Sequence, residues 1–287
     1  MVTGAVTPDP DHRPPAANRG IRRVLASAWV VPILVLLAVV VLFPIYITVV
    51  NSLLTPSEIA SKPPVLFPSH PTWGAYGEAW NAGSMSHYLV NSIVVTTVIV
   101  TGQIVTATLA AYAFAFLEFP FKRTLFLVFL ATLMVPFEVT IITNLTTVVN
   151  LGWYNTYAGL AVPFLATGFG AFLLRQTFKS IPKELDDAAR MEGASTLQTI
   201  WRVYLPLARP VYVAFALVSV SFHWNNFLWP LIVTNSTSAR PLTVGLQVFS
   251  STDQGIDWSI ICAATLMTSA PLLVAFLLFQ RQFVQSF

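Results

Sequence analysis

An all-α integral membrane protein with six transmembrane helices is the fold class this sequence predicts, on three observations. Of its 287 residues 55% are apolar and only 9% are charged, whereas a soluble globule carries roughly 25% charged residues. The few charges are segregated: positions 24–57, 79–117, 210–239 and 258–280 hold none, and 124–174 holds only Glu138. Basic residues, finally, crowd one set of connecting segments and avoid the other.

A charge at mid-membrane costs a few kcal/mol, so gaps between charges mark the spans. A helix needs about 20 residues to cross about 30 Å of hydrocarbon. On that footing the spans lie near 25–50, 89–115, 124–149, 157–178, 209–233 and 258–281. Arg19, Arg22 and Arg23 precede the first, but the apolar run far exceeds a signal-peptide core and lacks a small-x-small cleavage site before Asn51. It therefore reads as a retained span. Residues 1–20, with four prolines and no apolar periodicity, read as a disordered tail ahead of a membrane domain over 21–287. The third and fourth spans are parted by Asn150, Gly152, Trp153, Tyr154 and Asn155, a turn rich in aromatics that favour the membrane interface. Pro136 frees the carbonyl of residue 132, and the third span is expected to bend there.

Sidedness follows from the basic residues. With a cytoplasmic N-terminus, thirteen of them fall inside, and only Lys62 and Arg240 fall outside. Both termini and the segment 180–206 then face the cytoplasm. The same bias accounts for a pI near 9.1, so the charge is not a nucleic-acid footprint and no nucleic-acid partner is expected.

No catalytic constellation is present in the sequence. There is no Gly-x-x-x-x-Gly-Lys-Ser/Thr phosphate loop. His12, His70, His87 and His223 are scattered without a partner at metal-ligand spacing, and Cys262 is the single cysteine. Glu138 has no second acid for proton transfer. The chain is expected to be no enzyme and to hold no metal or cofactor of its own.

The segment 184–206, ELDDAARMEGASTLQTIWRVYLP, interrupts this apolar pattern. Pro182 with Glu184, Asp186 and Asp187 suits a first helical turn, where proline loses no hydrogen bond and carboxylates meet the positive end of the helix dipole. Leu185, Ala188, Ala189 and Glu192 share one face, kept shallow by its alanines. Gly193 suits a left-handed cap. Ser195 and Gln198 have capping-box spacing for a second helix, whose apolar face is Leu197, Ile200, Trp201 and Tyr204. A helix–turn–helix tied at both ends to spans is suited to transmit force from a soluble partner.

The skeleton Asp187-Ala188-Ala189, three residues, Gly193, nine residues, Val203, one residue, Leu205-Pro206 resembles the signature loop of permease subunits from ATP-binding-cassette importers. It departs from the usual form in having Asp187 for Glu and Val203 for Ile. Pro71 to Tyr76 (PTWGAY) and Trp224 to Pro230 (WNNFLWP) are similar to segments of the carbohydrate-import branch, that of the maltose and glycerol-phosphate systems, and the likeness covers nearly all of 22–287. It implies a type I ABC importer permease architecture in which the loop supplies a coupling helix, with Glu184, Asp187, Ala188, Ala189 and Gly193 docking the ATPase. Implied partners are a second homologous permease, an ATP-binding-cassette ATPase dimer that holds ATP and magnesium, an extracytoplasmic solute-binding protein and membrane lipid. The place implied is a bacterial or archaeal plasma (inner) membrane, with the outer loop 235–258 facing the binding protein. The solute would be a sugar or sugar-like molecule. Polar groups inside spans usually face a cavity or a neighbour, which makes Gln103, Glu138, Thr143, Asn144, Asn225 and Asn226 candidates for its path. Trp224 and Trp229 would stack on sugar rings or else pack in the protein. The alternative reading is a stand-alone secondary transporter or channel for a polar solute.

Overall fold

The computed structural model describes residues 17–82, 84–250 and 256–285, and among these all regular structure is helical. Helix α1 (Ala17–Asn51) is followed by two short helices, α2 (Pro56–Ile59) and α3 (Gly74–Ala82), and then by α4 (Met85–Phe116). α5 (Lys122–Ala131) runs through a 3-10 turn (Thr132–Met134) to a break, and α6 (Phe137–Asn150) leaves at 98°. α7 (Tyr157–Ala161), extended by the 3-10 turn Val162–Phe164, meets α8 (Gly168–Ser180) at 44°. The charged connector comprises α9 (Lys183–Met191), α10 (Thr196–Thr199), a π-helical turn (Ile200–Tyr204) and α11 (Leu205–Leu207). α12 (Arg209–Trp224) departs from the Thr196–Leu207 stretch at 83°. α13 (Leu228–Val233), α14 (Leu242–Gly245) with the 3-10 turn Leu246–Ser250, and α15 (Trp258–Gln285) follow.

Three stretches are long and apolar enough to cross a membrane unbroken: Trp29–Asn51 in α1, α4, and Trp258–Leu278 in α15. The other expected spans are broken: 124–149 at the expected bend near Pro136, and 157–178 and 209–233 at breaks that the sequence reading did not foresee. The last becomes α12 and α13 on either side of Asn225–Phe227. Of the tail read over 1–20, residues 1–16 lie outside the described residues, while 17–20 open α1.

Three of the breaks have a proline in them or within a few residues of them, and each carbonyl so freed finds a new donor. A proline cannot bond the carbonyl four residues back and clashes with it. Pro136 frees Thr132, whose carbonyl is taken by the Val135 N–H at 3.3 Å. Pro163 frees Gly159, whose carbonyl accepts the Trp229 indole N–H at 3.1 Å. Pro230 frees Asn226, whose carbonyl accepts the Thr243 hydroxyl at 2.8 Å. The end of the 3-10 turn after α7 is served by α4: Gln103 Nε2 donates to the Phe164 carbonyl at 2.8 Å and Thr106 Oγ1 to that of Leu165 at 2.7 Å. Gln103 also accepts from Ser219 of α12 at 2.6 Å and lies 3.0 Å from His223 Nε2.

The same region is stitched by rings. Phe137, at the start of α6, packs on Phe164 (5.0 Å between centroids) and Trp229 (5.6 Å), and Phe164 packs on His223 (5.2 Å). The three breaks thus converge at one place. α4 is the central post, packing along α8 and against α7, α12 and α14. Buried Ala107, Ala111 and Ala171 let α4 and α8 approach closely. α1 touches the bundle chiefly through α15, and from Trp29 onward most of its apolar side chains are exposed.

Two substitutions test this packing. Gln103→Leu keeps roughly the volume but strands the Phe164 carbonyl and the Ser219 hydroxyl, and should destabilise the detergent-solubilised protein by about 2 kcal/mol. An unchanged thermal midpoint would show that water serves those groups instead. A Cβ on Gly245 would sit 2.3 Å from the buried Tyr88 ring, whereas one on Gly77 meets nothing within 4 Å. Gly245→Val should therefore cost about 1–3 kcal/mol. Gly77→Ala, in a helix, should be neutral or slightly stabilising in the same thermal melt.

Candidate functional site

The charged connector builds a small exposed platform on a buried base. Pro182 is the N-cap of α9 and stands just outside the first turn, one position earlier than the sequence reading placed it. Its fixed φ suits the entry, and Glu184 and Asp186 follow at the positive end of the helix. The helix stops at Gly193, φ +80°, where the Gly193 N–H bonds the Arg190 carbonyl and the Ala194 N–H bonds that of Ala189, both at 3.0 Å. This pair of bonds is the Schellman arrangement, and its left-handed residue penalises any Cβ. Ser195 then caps α10 through the expected reciprocal bonds with Gln198. Glu184, Leu185, Asp187, Ala188, Met191, Glu192 and Gly193 are exposed, and Ala189 is half-buried. The residues expected to dock a partner therefore lie on or beside the outward face, with nothing taller than the alanines at its centre.

The inward face was not evident from the sequence. Asp186 is only 2% exposed, and Arg190 one turn on holds its Oδ2 at 2.9 Å. Arg190 also reaches across to α4, donating to the Tyr112 hydroxyl at 3.2 Å. That bond first, and the Asp186 carboxylate second, push the Arg190 pKa up and keep its charge. In the second half of the connector the apolar stripe splits: Ile200 and Tyr204 turn inward while Leu197 and Trp201 are exposed. The single face expected for these four residues is corrected to two, each an i, i+4 pair. Tyr204 is fully buried against Phe178 (4.9 Å), Phe116 (4.9 Å) and Tyr112 (5.8 Å). The one sequence signal for this base was the Asp186–Arg190 spacing on the side opposite Ala188.

The polar residues expected along a solute path divide. Glu138 is exposed in the first turn of α6, immediately after the Pro136 break. Asn225 is exposed and bonds the Ser221 carbonyl within its own turn at 2.8 Å. Asn226 is half-buried beside it and lines a small cavity with His223, Phe164 and Trp229. Asn144 is half-buried and donates to Thr140 at 3.2 Å. Trp224 is 7% exposed, and its indole N–H donates to the Thr268 carbonyl at 3.1 Å, one turn before Pro271. It packs inside the bundle and also lines a cavity with Thr96, Thr97, Val100, Thr101 and Pro271. Trp229 is buried, donates to the Gly159 carbonyl and lines the small cavity beside Asn226, and Gln103 is occupied by the breaks.

The connection read as an adaptable outer loop is anchored where it begins. The Asn155 Oδ1 accepts from the Asn235 and Ser236 N–H groups at 3.1 and 3.2 Å, and Asn91 Nδ2 donates to the Thr237 and Arg240 carbonyls at 3.0 and 2.8 Å. Residues 251–255 of it lie outside the described residues. Among the described residues no group of three or more His, Cys, Asp or Glu side chains could hold a metal ion.

This arrangement has known counterparts. The chain is 35% identical over 276 residues to the sn-glycerol-3-phosphate transport system permease protein UgpE of Agrobacterium fabrum, covering 93% of this chain and 96% of that one. It is 32% identical over 259 residues to UgpE of Yersinia pestis bv. Antiqua, covering 88% and 92%. The fold matches a chain in the crystal structure of a bacterial ABC transporter involved in import of the acidic polysaccharide alginate, with a TM-score of 0.80 at 22% identity over 94% of this chain and 98% of that one. These relatives are permeases, so the chain is a transport subunit and not an enzyme. The stand-alone transporter or channel is set aside, because a system that depends on a binding protein has several components. Residues 103–286 match the family described as binding-protein-dependent transport system inner membrane component, and the chain belongs to that family.

Proposed function

We propose that this subunit forms half of an ATP-driven import pathway for a sugar or sugar-like solute and docks its ATPase through α9. The observation that carries the docking role is the shallow platform of Asp187, Ala188 and Gly193, exposed on one side of a helix whose other side is buried. A cleft on a soluble partner fits over small side chains, and Glu184 and Asp187 provide charge at the rim. A second, related permease completes the pathway, and a dimeric ATP-binding-cassette ATPase holds ATP and magnesium. Both follow from the signature skeleton together with family membership. The solute class is supported by the glycerol-phosphate permeases at 32–35% identity. It also accords with the alginate importer fold, which has been seen in complex with an alginate-loaded periplasmic protein. Glu138, Asn225 and Asn226, around the convergent breaks, are the side chains proposed to line the path, with Asn144 further along α6.

The experiment is uptake and binding-protein-stimulated ATP hydrolysis by the complex reconstituted with its partners. Ala188→Glu or Gly193→Asp should insert normally yet lower both rates by about tenfold or more, as expected when over 1.4 kcal/mol of docking is lost. Normal rates in both variants would make the connector a passive loop. Orientation is a second part of the proposal, with both termini cytoplasmic. Lys62→Cys and Lys183→Cys are both at exposed positions. In intact cells an impermeant maleimide should label the first and spare the second; the reverse result would invert the topology and remove α9 from reach of ATP.

A further inference from the structure

The base beneath the docking platform is polar where a merely structural base would be apolar. Asp186 is a carboxylate at 2% exposure. Burying such a charge is expensive unless it is paired and all its lone pairs are bonded. It is paired, through Oδ2 to Arg190 Nε at 2.9 Å, but its Oδ1 has no hydrogen-bond partner, and neither does the buried Tyr204 hydroxyl. These two orphan atoms are near neighbours without the geometry of a formed bond: burial first, and the Asp186 carboxylate next, push the Tyr204 pKa up, which keeps its hydroxyl a donor. A donor and an acceptor close enough to interact but short of full hydrogen-bond geometry mark an arrangement that a small movement would complete.

The connections of this group run to two different bodies. Asp186 and Arg190 ride on α9. Tyr112 is part of α4, the central post, and Arg190 bridges to it with a nitrogen distinct from the one it gives to Asp186, Nη2 to the Tyr112 hydroxyl at 3.2 Å. Tyr204 lies in the π-helical turn that leads to α12, stacked on Phe178 of α8 and on Phe116 and Tyr112 of α4. A guanidinium can serve two such partners because its donors are fixed in a planar fork; an ammonium cannot reproduce that geometry. From α4 the path continues to Gln103, which holds the Phe164 carbonyl and His223 at the convergent breaks.

We infer that Asp186, Arg190, Tyr112 and Tyr204 form a latch that positions α9 against α4, so that displacement of the docking platform is passed to the broken helices instead of being absorbed by a loose connector. In the arrangement seen here Arg190 bridges Asp186 to Tyr112 and the Tyr204 hydroxyl is idle. Movement of α9 relative to the π-helical turn brings the Tyr204 hydroxyl onto Asp186 Oδ1, giving a second bonded arrangement. These are positioning residues; none belongs to the exposed platform. The inference rests on the proposed role of α9 as ATPase contact.

The test uses the whole reconstituted complex and three readouts: ATPase retention on purification, stimulated ATP hydrolysis, and solute transported per ATP. Tyr112→Phe removes only the hydroxyl that Arg190 binds and keeps the ring stack, and Arg190→Lys keeps the charge beside Asp186 but loses the fork. Tyr204→Phe removes the idle donor. Each should retain the ATPase and still hydrolyse ATP while solute per ATP falls by about threefold to tenfold, the scale expected from one lost hydrogen bond. Asp186→Glu should recover part of the ratio that Asp186→Asn loses. Wild-type solute per ATP in Tyr112→Phe, Arg190→Lys and Tyr204→Phe would overturn the latch, as would loss of ATPase retention in these variants in step with coupling, which would make the group a structural support. Ala188→Glu separates the two proposals: if it leaves retention intact, the docking reading fails, whereas if it abolishes retention and Tyr112→Phe couples normally, the latch alone fails.

Discussion

Inside hydrocarbon a free backbone carbonyl has no water to bond, and this one constraint organises the molecule. Of the prolines in or next to the apolar segments, Pro136, Pro163 and Pro230 stand at breaks, whereas Pro32, Pro44 and Pro271 lie inside unbroken helices. Each of the first three strands the carbonyl four residues earlier, and each stranded group is met by a donor from the 3-10 turn, from a tryptophan or from a threonine. Helix breaks in a membrane are stable only when such donors are present. The identity of the donors therefore decides where the chain can bend, and their crowding around Phe137, Phe164, His223 and Trp229 is why three breaks share one place.

That arrangement divides the molecule into stiff and yielding parts. α4 is long and unbroken, and it supplies Gln103 and Thr106 to the breaks and Tyr112 to the connector. Its contacts with α8 run over alanines, which allow close packing and little rotameric play. The broken helices, by contrast, hinge at residues whose backbone bonds are made by side chains, and side chains can exchange partners at modest cost. Motion is therefore expected at the breaks and rigidity along α4. A transport pathway needs both: a hinge near the solute and a strut that carries displacement to it from the surface.

Much of this was legible from residue order, and what was not has a common cause. Charge-free intervals located the six apolar segments because a buried charge is costly whatever the tertiary structure. Gly193 and the Ser195–Gln198 pair were legible because capping is local, settled within four residues. The bend at Pro136 was expected for the same reason. The partners were not: the Trp229 indole meets a carbonyl 70 residues away, and Gln103 one 61 residues away. Without those partners a tryptophan in a span reads equally as a sugar platform or as packing, and Trp224 and Trp229 were given both readings. Asp186 was hidden by its company, since an acid in a charged amphipathic segment looks solvated until α4 is placed beneath it.

The connector then shows why its exposed face is so plain. A docking surface that must be met repeatedly by a moving partner gains from small side chains, because they lose little rotameric freedom on each contact. The specific, directional bonds lie instead on the protected side, where water cannot compete and geometry is kept. A charged pair on the outer face would be worth little in solvent. At Asp186 and Arg190 the carboxylate is buried while the guanidinium stays half exposed, so the commitment lies with Asp186, which without Arg190 would be an uncompensated buried charge. The platform is thus generic in its surface and specific in its foundation, and in the proposed reading the foundation joins contact with a soluble motor to the bends in the membrane.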